Sequence, residues 1–262
     1  MPLLEARRLV KRFGRRIVVN GIHIRVASGE IVGLLGRNGA GKTTCFQMIV
    51  GLLRPDEGAV FLDEINISRL PTDKRALAGL TYLPQENSIF LKATVIDNLR
   101  IGLELQPMSK REVEQTARTL LEEFGLADLA GQGADSLSGG ERRRLEICRA
   151  LILRPKFLLL DEPFTGIDPL TIRDIQETLL RLKGRGIGIL LSDHNVRDMF
   201  SIVDRAYIID AGEILVSDVP ARLAVDAKAR ERFLGSEFRF GGERKSGTDS
   251  PFAKIHRREQ QR

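Results

Sequence analysis

Three short stretches of this sequence combine residue types at spacings suited to phosphate chemistry. The first is Gly36-Arg37-Asn38-Gly39-Ala40-Gly41-Lys42-Thr43, followed by Thr44. Its glycines let the backbone curl until successive N–H groups face one point, and a helix opening there adds the positive end of its dipole. In a G-x-x-x-x-G-K-T pattern the lysine reaches β- and γ-phosphates, and the threonine hydroxyl can ligate Mg²⁺. The second stretch is Phe157-Leu-Leu-Leu-Asp161-Glu162, an apolar run ending in two carboxylates. The carboxyl end of a buried strand is where α/β folds receive ligands. An aspartate there can hold Mg²⁺ through water, and the adjacent glutamate can polarise an attacking water; positioning and charge stabilisation supply most of the rate in phosphoryl transfer. The third is Leu137-Ser138-Gly139-Gly140-Glu141. Ser-x-x-Glu ahead of an apolar helix is a capping box, and two glycines at a capped helix N-terminus also make an anion site.

The elements that must hold these stretches follow from periodicity. Leu3–Leu9 and Ile22–Val26 are short strand-like runs, and Ile31–Leu35 is a buried strand leading into the glycine-rich turn. A helix is expected from about Gly41 to Leu53, stopping near Pro55, then strands over Val60–Ile67 and Leu80–Pro84. From Val95 to Leu129 the spacing turns helical and interrupts the strand–helix alternation, as an inserted helical subdomain does. Alternation resumes with a strand at Phe157–Leu160, a helix over Leu170–Lys183, and strands at Ile187–Leu191 and Ala206–Ile209. Strands alternating with helices imply a parallel sheet covered on both faces.

Length and composition bound the rest. The chain has 262 residues, 42% hydrophobic and 29% charged, the balance of a soluble globular protein with one large domain. No apolar run approaches the roughly 18–20 residues of a membrane span. Arg7, Arg8, Lys11 and Arg12 break any signal-peptide core, so a cytoplasmic address is expected. Cys45 and Cys148 form no metal or redox pattern and read as core residues, with oxidation of Cys45 beside the glycine loop as a possible route to inhibition. The net charge of +6 is concentrated at the end: seven Lys/Arg against three Asp/Glu lie between Arg239 and Arg262. Residues 241–262 have the composition of a solvated, disordered tail.

Taken together, the motifs resemble those of ABC-type ATPases, whose signature is Leu-Ser-Gly-Gly-Glu. The resemblance implies a P-loop NTPase core of α/β class with a parallel-rich sheet, an N-terminal antiparallel β part and an inserted α-helical subdomain. The domain then covers 1–240, with the helical part at about 88–155. Gln85 matches the family's Q-loop, Asp168 in Gly-Ile-Asp-Pro its D-loop, and His194 its switch histidine. ATP and Mg²⁺ are the implied ligands. Phe13 stacks on adenine; Gly36, Arg37, Asn38, Gly39, Ala40, Gly41, Lys42, Thr43 and Thr44 surround the phosphates; Thr43, Gln85 and Asp161 serve Mg²⁺. Glu162, His194, Gln85 and Lys42 carry catalysis. Two copies pair head to tail, so that Ser138, Gly139 and Gly140 of one chain, with Asp168, complete the ATP site of the other.

The resemblance also implies a homodimer seated on two integral membrane permeases, peripheral on the cytoplasmic face of the inner membrane. The segment Ile89, Phe90, Leu91 offers an apolar docking surface. Within the family, Tyr82–Phe90, Ser138–Arg144, Ser192–Arg197 and Phe233–Phe238 most resemble the ATPases of bacterial lipopolysaccharide export. Importers of branched-chain amino acids share the core motifs and are the alternative; the arginine run after Gly140 and the Phe-Leu-Gly-Ser-Glu-Phe ending favour the exporter. Family members acting on DNA or ribosomes carry long coiled coils, paired cassettes or zinc-binding cysteines, none of which the sequence contains, so no nucleic-acid partner is expected.

Overall fold

The strands divide between two sheets, and the reason is visible in their burial. In chain order the elements are β1 (Leu3–Phe13), β2 (Arg16–Ala27), β3 (Ile31–Leu35), α1 (Lys42–Val50), β4 (Glu57–Leu62), β5 (Ile65–Asn66), α2 (Thr72–Leu77), β6 (Leu80–Leu83), α3 (Val95–Leu103) and α4 (Lys110–Glu123). After these come α5 (Gly139–Ala150), β7 (Phe157–Asp161), α6 (Pro169–Gly184), β8 (Gly188–Asp193), α7 (Val196–Phe200), β9 (Arg205–Asp210) and β10 (Glu213–Asp218). This computed structural model describes residues 1–86 and 88–240, so the expectation for the tail at 241–262 lies outside the described residues.

One sheet is antiparallel, in the order β2-β1-β4-β5. The other runs β10-β9-β3-β8-β7-β6; its five inner strands are parallel and β10 closes the edge antiparallel to β9. Every residue of β3, β7 and β8 is buried, as expected of strands covered on both faces. Alternate side chains enter two cores. Val32, Leu34, Leu159, Leu190 and Ile209 pack with α1 and the antiparallel sheet. Leu35, Leu158, Leu160, Leu191 and Ile208 pack with α3–α6 and the helices after β8. Because α1 is sandwiched between the two sheets, the loop at its N-terminus cannot shift without moving a core.

Several boundaries differ from the sequence expectation. The strand expected over Val60–Ile67 is broken, because Asp63 and Glu64 take positive φ (51° and 69°) and fold Ile65 back onto Leu62. The helix expected to reach Leu53 ends at Val50. There the buried Arg75 donates Nη1–H to the carbonyls of Met48 (2.9 Å) and Ile49 (2.6 Å), filling acceptors that a continuing helix would need. The strand expected over Leu3–Leu9 runs on to Phe13, paired with β2. The helical block has α3 capped by Thr94, and α4 and α5 each opened by a full capping box. Among the described residues no helix is long and apolar enough to cross a membrane.

Candidate functional site

The glycine-rich loop leaves the C-terminal end of β3 and returns as α1. Gly41 stands at the helix N-cap with φ 109°, and a Cβ there would meet the Val18 carbonyl at 2.8 Å, so only glycine lets the turn close against β2. Lys42 is buried and donates from Nζ to the carbonyls of Gly36 (2.9 Å) and Arg37 (3.4 Å). Its ammonium therefore sits inside the curl of the loop. An open cavity of about 290 Å³ faces the loop, lined by Val18, Asn38, Gly39, Gly41, Lys42, Thr43, Thr44, Gln85 and Glu162. Residues 85 and 162 thus reach the phosphate loop from two other strands, β6 and β7.

Glu162 turns sharply out of β7 with φ 47°, a left-handed conformation uncommon for a side chain of this size. Its N–H donates to the Ser192 carbonyl (2.8 Å), which holds the bend against β8. Three donors converge on one carboxylate oxygen, Oε2. Gln85 Nε2 lies at 3.1 Å, Thr165 Oγ1 at 3.1 Å and His194 Nδ1 at 3.6 Å. Behind it, Asp161 is fully buried; Ser192 Oγ–H donates to its Oδ1, and Tyr82 O–H donates to its Oδ2 at 3.3 Å. Burial, and then the Asp161 charge, push the Tyr82 phenol well above its ordinary value, so it stays a donor. Glu162 is thus the carboxylate that faces the cavity, while Asp161 lies behind it.

The Leu137–Glu141 stretch forms the N-terminus of α5. Glu141 N–H donates to Ser138 Oγ (3.3 Å), and Glu141 Oε2 accepts from Ser138 N–H (2.8 Å) and Ser138 Oγ–H (2.7 Å). Hydrogen bonds from Ser138 hold the Glu141 carboxyl below its ordinary value. A Cβ at Gly140 would lie 2.4 Å from Thr171 Cγ2, so α6 packs against this turn only because position 140 has no side chain; at Gly139 the space is open. Asp168 caps α6, its Oδ1 accepting from Leu170 N–H (3.0 Å) and Thr171 N–H (3.1 Å), and these bonds lower its pKa. None of Ser138, Gly139, Gly140 or Asp168 lines the phosphate cavity of its own chain.

Phe13 lies at the end of β1, 51% exposed, with Lys11 Nζ 5.7 Å from its ring centre. In the 89–91 segment the structure separates what the sequence grouped. Phe90 (46%) and Leu91 (39%) are exposed, whereas Ile89 (7%) belongs to the core and offers no docking surface. α5 grips the segment from beneath: Glu146 Oε1 accepts from Ser88 N–H (2.8 Å), Arg149 donates to the Ser88 carbonyl, and the Arg149 guanidinium lies 4.7 Å from the Phe90 ring. Beside it runs a groove of about 270 Å³, lined in part by Tyr82, Leu105, Arg149 and Ile152.

Sequence reasoning missed Ser192, Asp193, Tyr82 and Thr165. A signal for the first two existed. Ile189-Leu-Leu-Ser-Asp193 ends an apolar strand in a carboxylate, the same pattern that singled out Asp161.

A parallel sheet whose first βα turn wraps a buried lysine, with carboxylates at the end of a neighbouring strand, defines a P-loop nucleotide-binding protein. The comparisons narrow this. The family model for ABC transporters matches residues 19–165. The lipopolysaccharide export system ATP-binding protein LptB of Acidithiobacillus ferridurans is 48% identical over 236 residues, covering 90% of this chain and 98% of that protein. LptB of Escherichia coli (strain K12) is 45% identical over 240 residues, covering 91% of this chain and 100% of that protein. Among solved structures, the ADP conformation of MJ1267, an ATP-binding cassette of an ABC transporter, superposes with a TM-score of 0.81 at 28% identity, covering 90% of this chain and 99% of that one. The chain belongs to the ABC transporter ATP-binding family and is an ATPase.

Proposed function

We propose that this chain is the motor subunit of a lipopolysaccharide exporter. It binds Mg-ATP between two copies arranged head to tail and drives two membrane subunits from the cytoplasmic face of the inner membrane. The observation that carries the cargo assignment is the 45–48% identity to proteins of that system over nearly their whole length. The head-to-tail dimer is supported by the position of the Ser138–Glu141 anion site, outside the phosphate cavity of its own chain; a related cassette has been solved as a dimer bound to ADP and Pi.

The residues present suit Mg²⁺. The Thr43 hydroxyl and the Gln85 carboxamide are hard oxygen donors at the cavity, and the buried Asp161, both oxygens already engaged, acts through water. When bound, the ion neutralises charge on the β- and γ-phosphates. The loop N–H groups and Lys42 hold the phosphates in place. Glu162 accepts the proton of the attacking water; Gln85, Thr165 and His194 fix its carboxylate and stabilise the charge around it. Ser138 and Gly140 of the second copy contact the γ-phosphate, and Asp168 stands beside that contact. Phe13 stacks on the base. Phe90 and Leu91, with the groove beside α5, receive the membrane subunits.

Affinity purification of the tagged chain from detergent-solubilised native membranes, with mass spectrometry of what accompanies it, tests the reading. Two membrane proteins of lipopolysaccharide export are expected. Importer permeases would overturn the cargo, and ribosomal or DNA-repair proteins without a permease would overturn the transporter role itself.

A further inference from the structure

Asp193 ends β8 with a carboxyl group that has no contact with solvent. In the sheet it stands opposite Leu35, the last residue before the phosphate loop, and its neighbour Ser192 stands opposite Asp161. An unpaired charge so placed costs several kcal/mol unless hydrogen bonds replace water. Both oxygens are engaged with backbone. Oδ1 accepts from His194 N–H (2.7 Å) and Asn195 N–H (2.9 Å), and Oδ2 accepts from Phe164 N–H (3.2 Å). Burial still leaves the carboxyl above its ordinary pKa, with the Asn195 and Phe164 bonds opposing.

The first two bonds shape the turn after β8, as an ordinary strand-end aspartate does. The third does not belong to that pattern, because it crosses 29 residues to the turn after β7. That turn carries Thr165, and the turn after β8 carries His194, whose Nδ1 lies 3.6 Å from Asp193 Oδ1 as well as 3.6 Å from Glu162 Oε2. Two of the three donors aimed at Glu162 Oε2 therefore stand on turns that one buried carboxylate ties together. We propose that Asp193 is a positioning residue for hydrolysis, locking the Thr165 and His194 turns into one frame around Glu162. The proposal rests on Glu162 being the base. Displacing a reacting group by about 1 Å can cost about a hundredfold in rate, so a bridge of this kind governs turnover rather than ATP binding.

The test uses the full-length chain, with steady-state ATPase as a function of ATP concentration and thermal melting of each variant. Asp193→Asn keeps the shape but puts an amide N–H₂ where one of the two turns needs an acceptor, so the bridge is lost whichever way the amide turns. The expected result is a fall in kcat of about tenfold with KM for ATP within about twofold. Asp193→Ala goes further in the same direction, and the Asp193→Asn variant alone suffices to read the effect if the alanine chain does not fold. In a His194→Ala background the added loss from Asp193→Asn is smaller than in the wild type, because the two residues act on one group. Turnover within twofold of wild type, a loss confined to KM, or losses that simply multiply in the double variant would each overturn the proposal. Glu162→Gln measured alongside separates the two readings: if it turns over normally, the base assignment fails whatever Asp193 does.

Discussion

Replacing Glu162 by glutamine removes the proton acceptor while leaving the site's shape. All three convergent donors point at Oε2. The amide oxygen of glutamine can take that position and keep the Gln85 and Thr165 bonds, and the new amide nitrogen falls where Oε1 stood. The change in stability should stay within about 1 kcal/mol, and the melting temperature within about 4 °C. Lys42 and the loop N–H groups are untouched, so ATP affinity should hold. Loss of a general base costs about 10²–10⁴ in rate, or about 3–5.5 kcal/mol of barrier. The assay is phosphate release with excess Mg-ATP, paired with nucleotide titration and size-exclusion chromatography in ATP. Hydrolysis should fall at least a hundredfold, binding should stay near wild type, and the chain should elute as a dimer that ATP no longer disperses. Turnover within tenfold of wild type would refute Glu162 as the base and leave the converging donors without a catalytic purpose.

Three other outcomes follow from the geometry. Gly140→Ala drives a methyl to 2.4 Å from Thr171 Cγ2 and should destabilise the chain by about 1–3 kcal/mol, whereas Gly139→Ala meets open space and should not; equal melting temperatures would show that α6 gives way freely. Phe90→Ala removes a half-exposed ring resting on Arg149 and should weaken assembly with the membrane subunits by about tenfold or more while the isolated chain keeps its ATPase; unchanged assembly would remove Phe90 from the docking surface. Cys45 and Cys148 are fully buried and burial pushes both thiols up, so native protein should resist a thiol reagent that modifies both cysteines once it is unfolded. This corrects the expectation that Cys45 offers a route to oxidative inhibition; rapid native modification with loss of ATPase would restore it.

The sequence by itself determined whatever is contiguous. The curl of Gly36–Thr43 depends on glycines and a helix start within one short segment, and the Ser138–Glu141 box on residues three apart. Phe157–Asp161 declares itself as a doubly covered strand because all its residues are buried, which composition alone can report. The strand broken at Asp63-Glu64 was not legible, since two non-glycine residues there adopt positive φ that no residue type announces. Nor was the end of α1 at Val50, decided by Arg75 arriving from α2. Ile89 and Phe90 are adjacent and both apolar; packing beneath α3 buries one and leaves the other outside.

The tertiary structure decided the site's working geometry. Gln85, Thr165 and His194 stand 77, 3 and 32 positions from Glu162, and only the parallel order β6-β7-β8 puts their loops at one end of the sheet. Local propensity can form each turn, but distances of about 3 Å between groups so far apart in sequence arise only when the sheet and both cores fix the strands in register. Asp193 joins the turns after β7 and β8 for the same reason: in the sequence it is the residue before a histidine, and in the fold it is the buried carboxylate that ties two catalytic turns together.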